Sequence, residues 1–265
     1  MSRYWIDYPA TDLQIDPDRT IAILPTAAVE QHGPHLPVGV DTFINEGLCD
    51  LLAARCPQDL DIRLLPVMAV GKSNEHLWAP GTLTLTAETA LRAWTEIGLS
   101  VARAGIRKML IVNSHGGNTD LISIVARELR VRAGMYCVRM GWGAGGVPGG
   151  LYSAQEMAQG IHGGDNETSL MLHLRPETVD MTKAQDFRWT HGQGDIPPVG
   201  PVAHGWIASD VHEAGVAGEA HLATAEKGRL TAEGYVSHTI EVLQNIAAKD
   251  IATFVPVADP FPPRG

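Results

Sequence analysis

Cysteine is scarce in this chain. The three that occur among 265 residues, Cys49, Cys56 and Cys137, share no C-x-x-C spacing. The sequence therefore holds neither a disulfide scaffold nor a thiolate zinc site, and a reducing cytoplasm is the expected compartment. Long apolar runs are missing as well. No stretch approaches the roughly eighteen residues of a membrane span, and the N-terminus has no signal-peptide apolar core. Positive charge is in short supply, with Lys+Arg 20 against Asp+Glu 30 and a net charge of −10. An acidic surface does not attract nucleic acid or an anionic membrane, so neither is an expected partner. No internal repeat and no long linker divides the chain, and residues 1–265 are expected to form a single domain with ample length for a core.

What the chain does have is histidine next to carboxylate. Glu30, His32, His35 and Asp41 lie within twelve residues, just after the apolar run from Ile21 to Leu24 that reads as a buried strand. Side chains of an extended segment alternate, so Glu30 and His32 can face the same ion, while the Gly/Pro-rich turn brings Asp41 back toward them. Pro34 and Pro37 exclude a helical H-E-x-x-H arrangement. Imidazole with carboxylate suits Zn, Fe or Mn better than Ca or Mg. Asp41 has a second reading: it or Thr42 could cap a helix running through Arg55, and a carboxylate has lone pairs enough for both jobs.

Further along, residues 62–67 read as a strand, 87–104 as a helix, 108–112 as a strand, 119–133 as a helix and 135–140 as a strand. Strand and helix in alternation imply parallel strands with right-handed crossovers, and in such sheets ligands sit beyond the carboxyl ends of the strands. Both the Glu30 cluster and the segment Asn113 to Asn118, which contains His115, follow a strand end. That shared position is the physical argument for one common site. Gly141, Gly143 and Gly146 spell G-x-G-x-x-G, but Pro148 follows where a helix would have to open, so the dinucleotide reading is rejected in favour of a flexible loop near the site. His162 and Glu167 come next, with Asp165 or Asn166 as candidate caps of a helix; Glu167 could serve that helix's dipole alone. His173 reads as a surface or core residue. Residues 175–217 are expected to be loops and short elements over the site, 224–248 a helix, and the proline-rich 254–265 an extended tail. Trp78, Trp142, Trp189 and Trp206 could line a pocket for a planar ring or simply pack.

Taken together, Glu30-Gln-His-Gly-Pro-His-Leu-Pro with Asp41, Pro80-Gly-Thr-Leu-Thr-Leu85, Asn113-Ser-His-Gly-Gly-Asn118, the stretch from His162 to Ser169 and the stretch from Gly215 to Thr224 resemble the creatininase (creatinine amidohydrolase) family in order and over most of the chain. The resemblance implies a three-layer α/β/α domain with a mainly parallel sheet, a metal site at the carboxyl ends of the strands, and two divalent ions per subunit, Zn, Mn or Fe. It implies hydrolysis of a non-peptide C–N bond in a small-molecule amide, cyclic amide or formamide. By position, Glu30, Asp41 and His115 look like ligands of one ion and His32 and Asp41 of the other, with Asp41 bridging. His162 looks like the catalytic histidine, and Ser73, His76 and Gly116 look like substrate contacts. A homo-oligomer, such as a hexamer, is implied in the same way.

The sequence also departs from the family pattern. Gly117 stands where creatininase has a metal-binding glutamate, and Glu167 is expected to complete the shell or to act as acid or base. Gly116, Ala158 and Gln159 replace a tyrosine, a tryptophan and an aspartate, which removes the walls of a creatinine pocket. Creatinine itself is therefore not the expected substrate. The alternatives are a metal-dependent peptidase on a short peptide and a metal- or ligand-binding protein without catalysis.

Overall fold

The computed structural model describes residues 2–189 and 196–254. At its centre β1 (Ile21–Thr26), β2 (Ile62–Leu64), β3 (Lys108–Asn113) and β4 (Tyr136–Gly141) form one sheet in the order β2-β1-β3-β4, every pairing parallel. Alternation along the strands feeds two cores. Ile21, Ile23, Leu110 and Val112 face one side, where α1 (Val40–Arg55), α5 (Asp165–Leu174) and α7 (Ala225–Ala248) cover them. Ala22, Leu24, Met109 and Ile111 face the other, beneath α2 (Ala87–Arg103) and α3 (Thr119–Ala133). Strands covered on both faces must be apolar throughout, which is why β1 and β3 read as continuous apolar runs. The fold is thus the expected α/β sandwich of three layers. Among the described residues no helix is long and apolar enough to cross a membrane.

Several boundaries differ from the sequence reading. The second strand ends at Leu64 because Pro66 has no N–H to continue the ladder; pairing with β1 resumes only at the Thr26–Met68 bridge. Neither Asp41 nor Thr42 caps α1. Its N-cap is Gly39 without a side-chain bond, and the Thr42 hydroxyl donates to the Ala28 carbonyl at 3.0 Å. Asp165 and Asn166 do not cap α5 either, since Gly164 holds that position. Asp165 instead accepts from Lys227 Nζ at 2.5 Å, joining α5 to α7. The glycine-rich segment forms a single turn of 3₁₀ helix, Trp142–Gly145. The loops of 175–217 carry the four-residue α6 (Ala208–Val211), and a short α4 (Ala154–Gln159) precedes His162. Beyond Phe254 the expected extended tail lies outside the described residues.

Candidate metal centre

At the carboxyl end of β1 the chain continues extended to Glu30, whose N–H donates to the Val38 carbonyl at 2.8 Å. Gly33, at φ 79°, then makes the turn that returns Asp41 in the first turn of α1. At the carboxyl end of β3, His115 precedes a 3₁₀ turn, Gly116–Asn118. Asn118 ties the two strand ends to a third loop: its Nδ2 donates to the Ala27 carbonyl at 3.0 Å and its Oδ1 accepts the Lys72 N–H at 3.0 Å.

The result is a buried cluster. His115 Nδ1 lies 3.2 Å from Glu30 Oε1 and 3.5 Å from Asp41 Oδ2. His32 Nε2 lies 3.8 Å from both Asp41 Oδ1 and Glu167 Oε2. His162 Nδ1 and His76 Nε2 each stand 3.5 Å from Glu30 Oε1. The potential donor atoms fall into four groups in which all lie within 4.8 Å of one another: Glu30/Asp41/His115, His32/Asp41/Glu167, Glu30/His32/His162 and Glu30/Glu75/His76. The first groups the three residues that the family resemblance gives to one ion, and the second groups the two that it gives to the other together with Glu167.

The donor chemistry fits a cation. Both oxygens of Glu30, Oδ2 of Asp41 and Nε2 of His32 are buried without a hydrogen-bond partner, which is costly unless something positive satisfies them. Backbone carbonyls fix three of the imidazoles. A carbonyl oxygen only accepts, so His32 Nδ1–H donates to Glu30 O at 3.0 Å, His115 Nε2–H to Lys72 O at 2.9 Å and His162 Nε2–H to Gln31 O at 2.7 Å. In each neutral ring the bare nitrogen is then the one that faces the carboxylates.

Protonation reflects the same crowding. Burial raises the Asp41 carboxyl well above its ordinary value, and the neighbouring Glu30 charge raises it further. Burial also raises Glu167. Burial alone would raise Glu30, but the imidazoles of His115, His162 and His76 hold it well below the usual range. Burial would lower His115, but Glu30, Glu75 and Asp41 prevail and raise it. His32 is lowered by its burial.

The remaining sequence candidates divide. Gly116 lines the open cleft, and His76 stands in the cluster. Ser73 is buried with an unpartnered Oγ and lines neither lobe of the cleft described below. His35 faces away: its Nε2–H donates to the Gly163 carbonyl at 3.2 Å, its ring stacks on Phe187, and burial pushes it down to about 4. Of the four tryptophans only Trp142 lines the cleft, its Nε1–H donating to Asn45 Oδ1 at 3.1 Å. Trp189 and Trp206 pack with Val211 and Ala217, and Trp78 is half exposed.

One acidic residue of the cluster, Glu75, escaped the sequence reading although it lies between two residues singled out there, Ser73 and His76. Its Oε1 stands 3.4 Å from His115 Nε2, and its Oε2 accepts from Lys72 Nζ at 3.1 Å. It also fills the space beside Gly117, where an added Cβ would stand 2.2 Å from Glu75 Oε1. The His115 imidazole holds the Glu75 carboxyl down to about 2 against the raising effect of burial. A carboxylate behind a candidate ligand histidine fixes its orientation and raises its basicity. The signal that could have found it is the glycine at 117, which leaves room for a side chain from another loop.

The cleft beside the cluster has two lobes of ≈ 240 Å³ each. One is lined by His115, Gly116, Trp142 and Leu170, the other by Tyr152, Met157 and Ile161, and they share Gly143, Asn166, Glu167 and Tyr235. Glu167 thus sits where the lobes meet.

The sequence profile described as Creatininase, creatinine amidohydrolase, matches residues 9–243. The chain belongs to the creatininase family. It is 32% identical over 228 residues to the mycofactocin precursor peptide peptidase of Mycobacterium tuberculosis, covering 83% of each chain. To the creatinine amidohydrolase of Pseudomonas putida it is 29% identical over 249 residues, covering 86% of this chain and 89% of that protein. Among solved structures it superposes on a creatinine amidohydrolase with a TM-score of 0.74 at 25% identity, over 94% of this chain and 99% of the other. A creatininase variant of Zn–Zn type gives a TM-score of 0.71 at 26% identity, over 87% of this chain and 92% of that one. The chain is accordingly a hydrolase of the creatininase family.

Proposed function

We propose that this creatininase-family hydrolase cleaves an amide C–N bond in a linear substrate, a short peptide or peptide-like chain, with two divalent ions as cofactors. The observation that carries the reading is the two-lobed cleft with Glu167 at its junction: a bond placed there leaves room for chain on both sides. A small ring amide, the substrate class the sequence favours, would use one lobe. The similarity to peptide peptidases supports the linear substrate.

Glu30, Asp41 and His115 would hold one ion and His32, Asp41 and Glu167 the other. Ions bound there would supply a Lewis acid for the carbonyl and a water of lowered pKa. The protein's own groups do the rest. His162 presents a bare Nδ1 to the cluster because its Nε2–H is committed to Gln31 O. It takes the proton of the attacking water and returns it to the leaving nitrogen. Glu75 keeps His115 oriented from behind. The Gly116 and Gly143 backbones let substrate approach closely.

The test is elemental analysis of wild type and Asp41→Ala, joined to product analysis by mass spectrometry on short peptides, cyclic ureas, lactams and formamides. The expected result is near two ions per chain in wild type, lost in Asp41→Ala together with peptide cleavage. Turnover of the ring amides with intact peptides would overturn the linear substrate. Metal-free wild type after supply of Zn or Mn would overturn the centre.

A further inference from the structure

Three imidazoles of the centre meet a carbonyl oxygen behind them; the fourth, His76, meets a donor. Its Nδ1 lies 2.9 Å from Nε2 of Gln31. The orientation of the Gln31 amide is set twice by backbone, because Oε1 accepts the Gly33 N–H at 2.8 Å and Nε2 donates to the Gly215 carbonyl at 2.6 Å. Reversing the amide would set oxygen against oxygen and N–H against N–H. His162 Nε2, 3.4 Å from the same amide nitrogen, already donates to Gln31 O and cannot accept, so the second Nε2 hydrogen goes to His76, whose Nδ1 accepts it. In the neutral ring the proton then resides on Nε2, the atom that faces Glu30 Oε1 at 3.5 Å. That separation is beyond a good hydrogen bond, and His76 Nε2 makes no hydrogen bond among the described residues. An N–H held at the edge of an anionic cluster is not a metal donor: ligation through Nε2 would demand either the loss of the Gln31 bond or an imidazolate.

We infer that His76 is the hydrogen-bond donor of this centre, its Nε2–H held by Gln31 for the oxygen of the substrate amide, with Gln31 as a positioning residue. A neutral imidazole donor of this kind stabilises negative charge as it develops on a carbonyl oxygen without adding a fixed positive charge next to the cations. Neighbouring rings confine it, with His162 packed against it at 4.3 Å and a tilt of 34°, and His32 in turn against His162 at 4.1 Å and 35°. The inference rests on the reading of the protein as an amide hydrolase.

Two measurements test it. Long-range 1H–15N correlation spectra of zinc-loaded protein labelled at histidine nitrogen, with His76→Asn to assign the signals, are expected to show His76 protonated at Nε2 and accepting at Nδ1. A proton on Nδ1, or zinc on Nε2, overturns the inference. Calorimetric binding of acetohydroxamate, an oxyanion probe for hydrolytic metal centres, is expected to weaken roughly tenfold or more in His76→Phe. Zinc content should stay unchanged, and His76→Asn, which keeps an N–H, should recover part of the loss. Equal affinity in wild type and His76→Phe, or zinc lost from His76→Phe, also overturns it. Absence of amide hydrolysis in the wild-type screen would sink the functional reading and leave both of these measurements to judge His76 on their own.

Discussion

Gly117 and Gly116 are neighbours in sequence with opposite consequences for a side chain. A Cβ at Gly117 would stand 2.2 Å from Glu75 Oε1, 2.5 Å from His115 Nε2 and 2.7 Å from Lys72 O, whereas one at Gly116 meets nothing within 4 Å. Gly117→Ala is expected to lower zinc or manganese affinity by roughly tenfold or more, because His115 must turn away from Glu30 and Asp41, and to cost about 1–3 kcal/mol of stability. Gly116→Ala should leave both unchanged. Chelator competition and thermal melts read the two effects, and wild-type metal affinity in Gly117→Ala would remove Glu75 from its place behind His115. Much at this scale could be read from sequence. The convergence of Glu30, His32, Asp41 and His115 is legible from their types and their places after strand ends, and that of Glu167 only from the family resemblance. Glu75 is legible only through its partner, a glycine some forty residues on, because local spacing carries no trace of such a contact. His35 stands beside His32 in composition, but two residues past the turn at Gly33 its ring faces Gly163 and Phe187 instead.

The elements were legible where a periodic apolar pattern ran for two turns or more, and less so at their ends. Caps depend on where one side chain points, and the Asp41, Thr42 and Asp165 side chains are each drawn away by a partner distant in sequence. The long helix α7 shows how far pattern alone reaches. Its two glycines, Gly228 and Gly234, look alike in sequence as mild interruptions. In the structure Gly228 lies against α5, where a Cβ would stand 1.8 Å from the Ser169 carbonyl oxygen, while at Gly234 the nearest atoms, on Pro148, are 3.7 Å away. Gly228→Ala should therefore destabilise by about 2 kcal/mol or more by forcing α5 and α7 apart. Gly234→Ala should stabilise by about 0.5–1 kcal/mol through helix propensity. Denaturant unfolding of the two variants checks the pair, and a loss of equal size at both positions would contradict the close approach at Ser169.

For the whole molecule, the centre stands where the loops after β1 and β3 meet α1 and α5, so its charge state bears on the stability of the entire fold. Without a cation the cluster settles its charge with protons: Asp41 and Glu167 are raised by burial, and His115 is raised by its carboxylate neighbours against burial. Each of these protons occupies an atom that a cation would need, so each makes metal binding tighter as pH rises. His32 acts differently. Its folded pKa lies well below 6.5, its Nε2 is already bare at neutral pH, and it adds nothing to the pH dependence there. Zinc at about a hundred times its dissociation constant is expected to stabilise the fold by about 2.7 kcal/mol, or roughly 5–10 °C in melting temperature for a chain of this size. At one fixed zinc concentration the increment should be larger at pH 8 than at pH 6, because more protons remain to be displaced in acid. Asp41→Ala should show none at either pH. Melting curves with and without zinc at the two pH values decide the matter: an increment that grows toward acid would mean that the cation binds away from Asp41, Glu167 and His115.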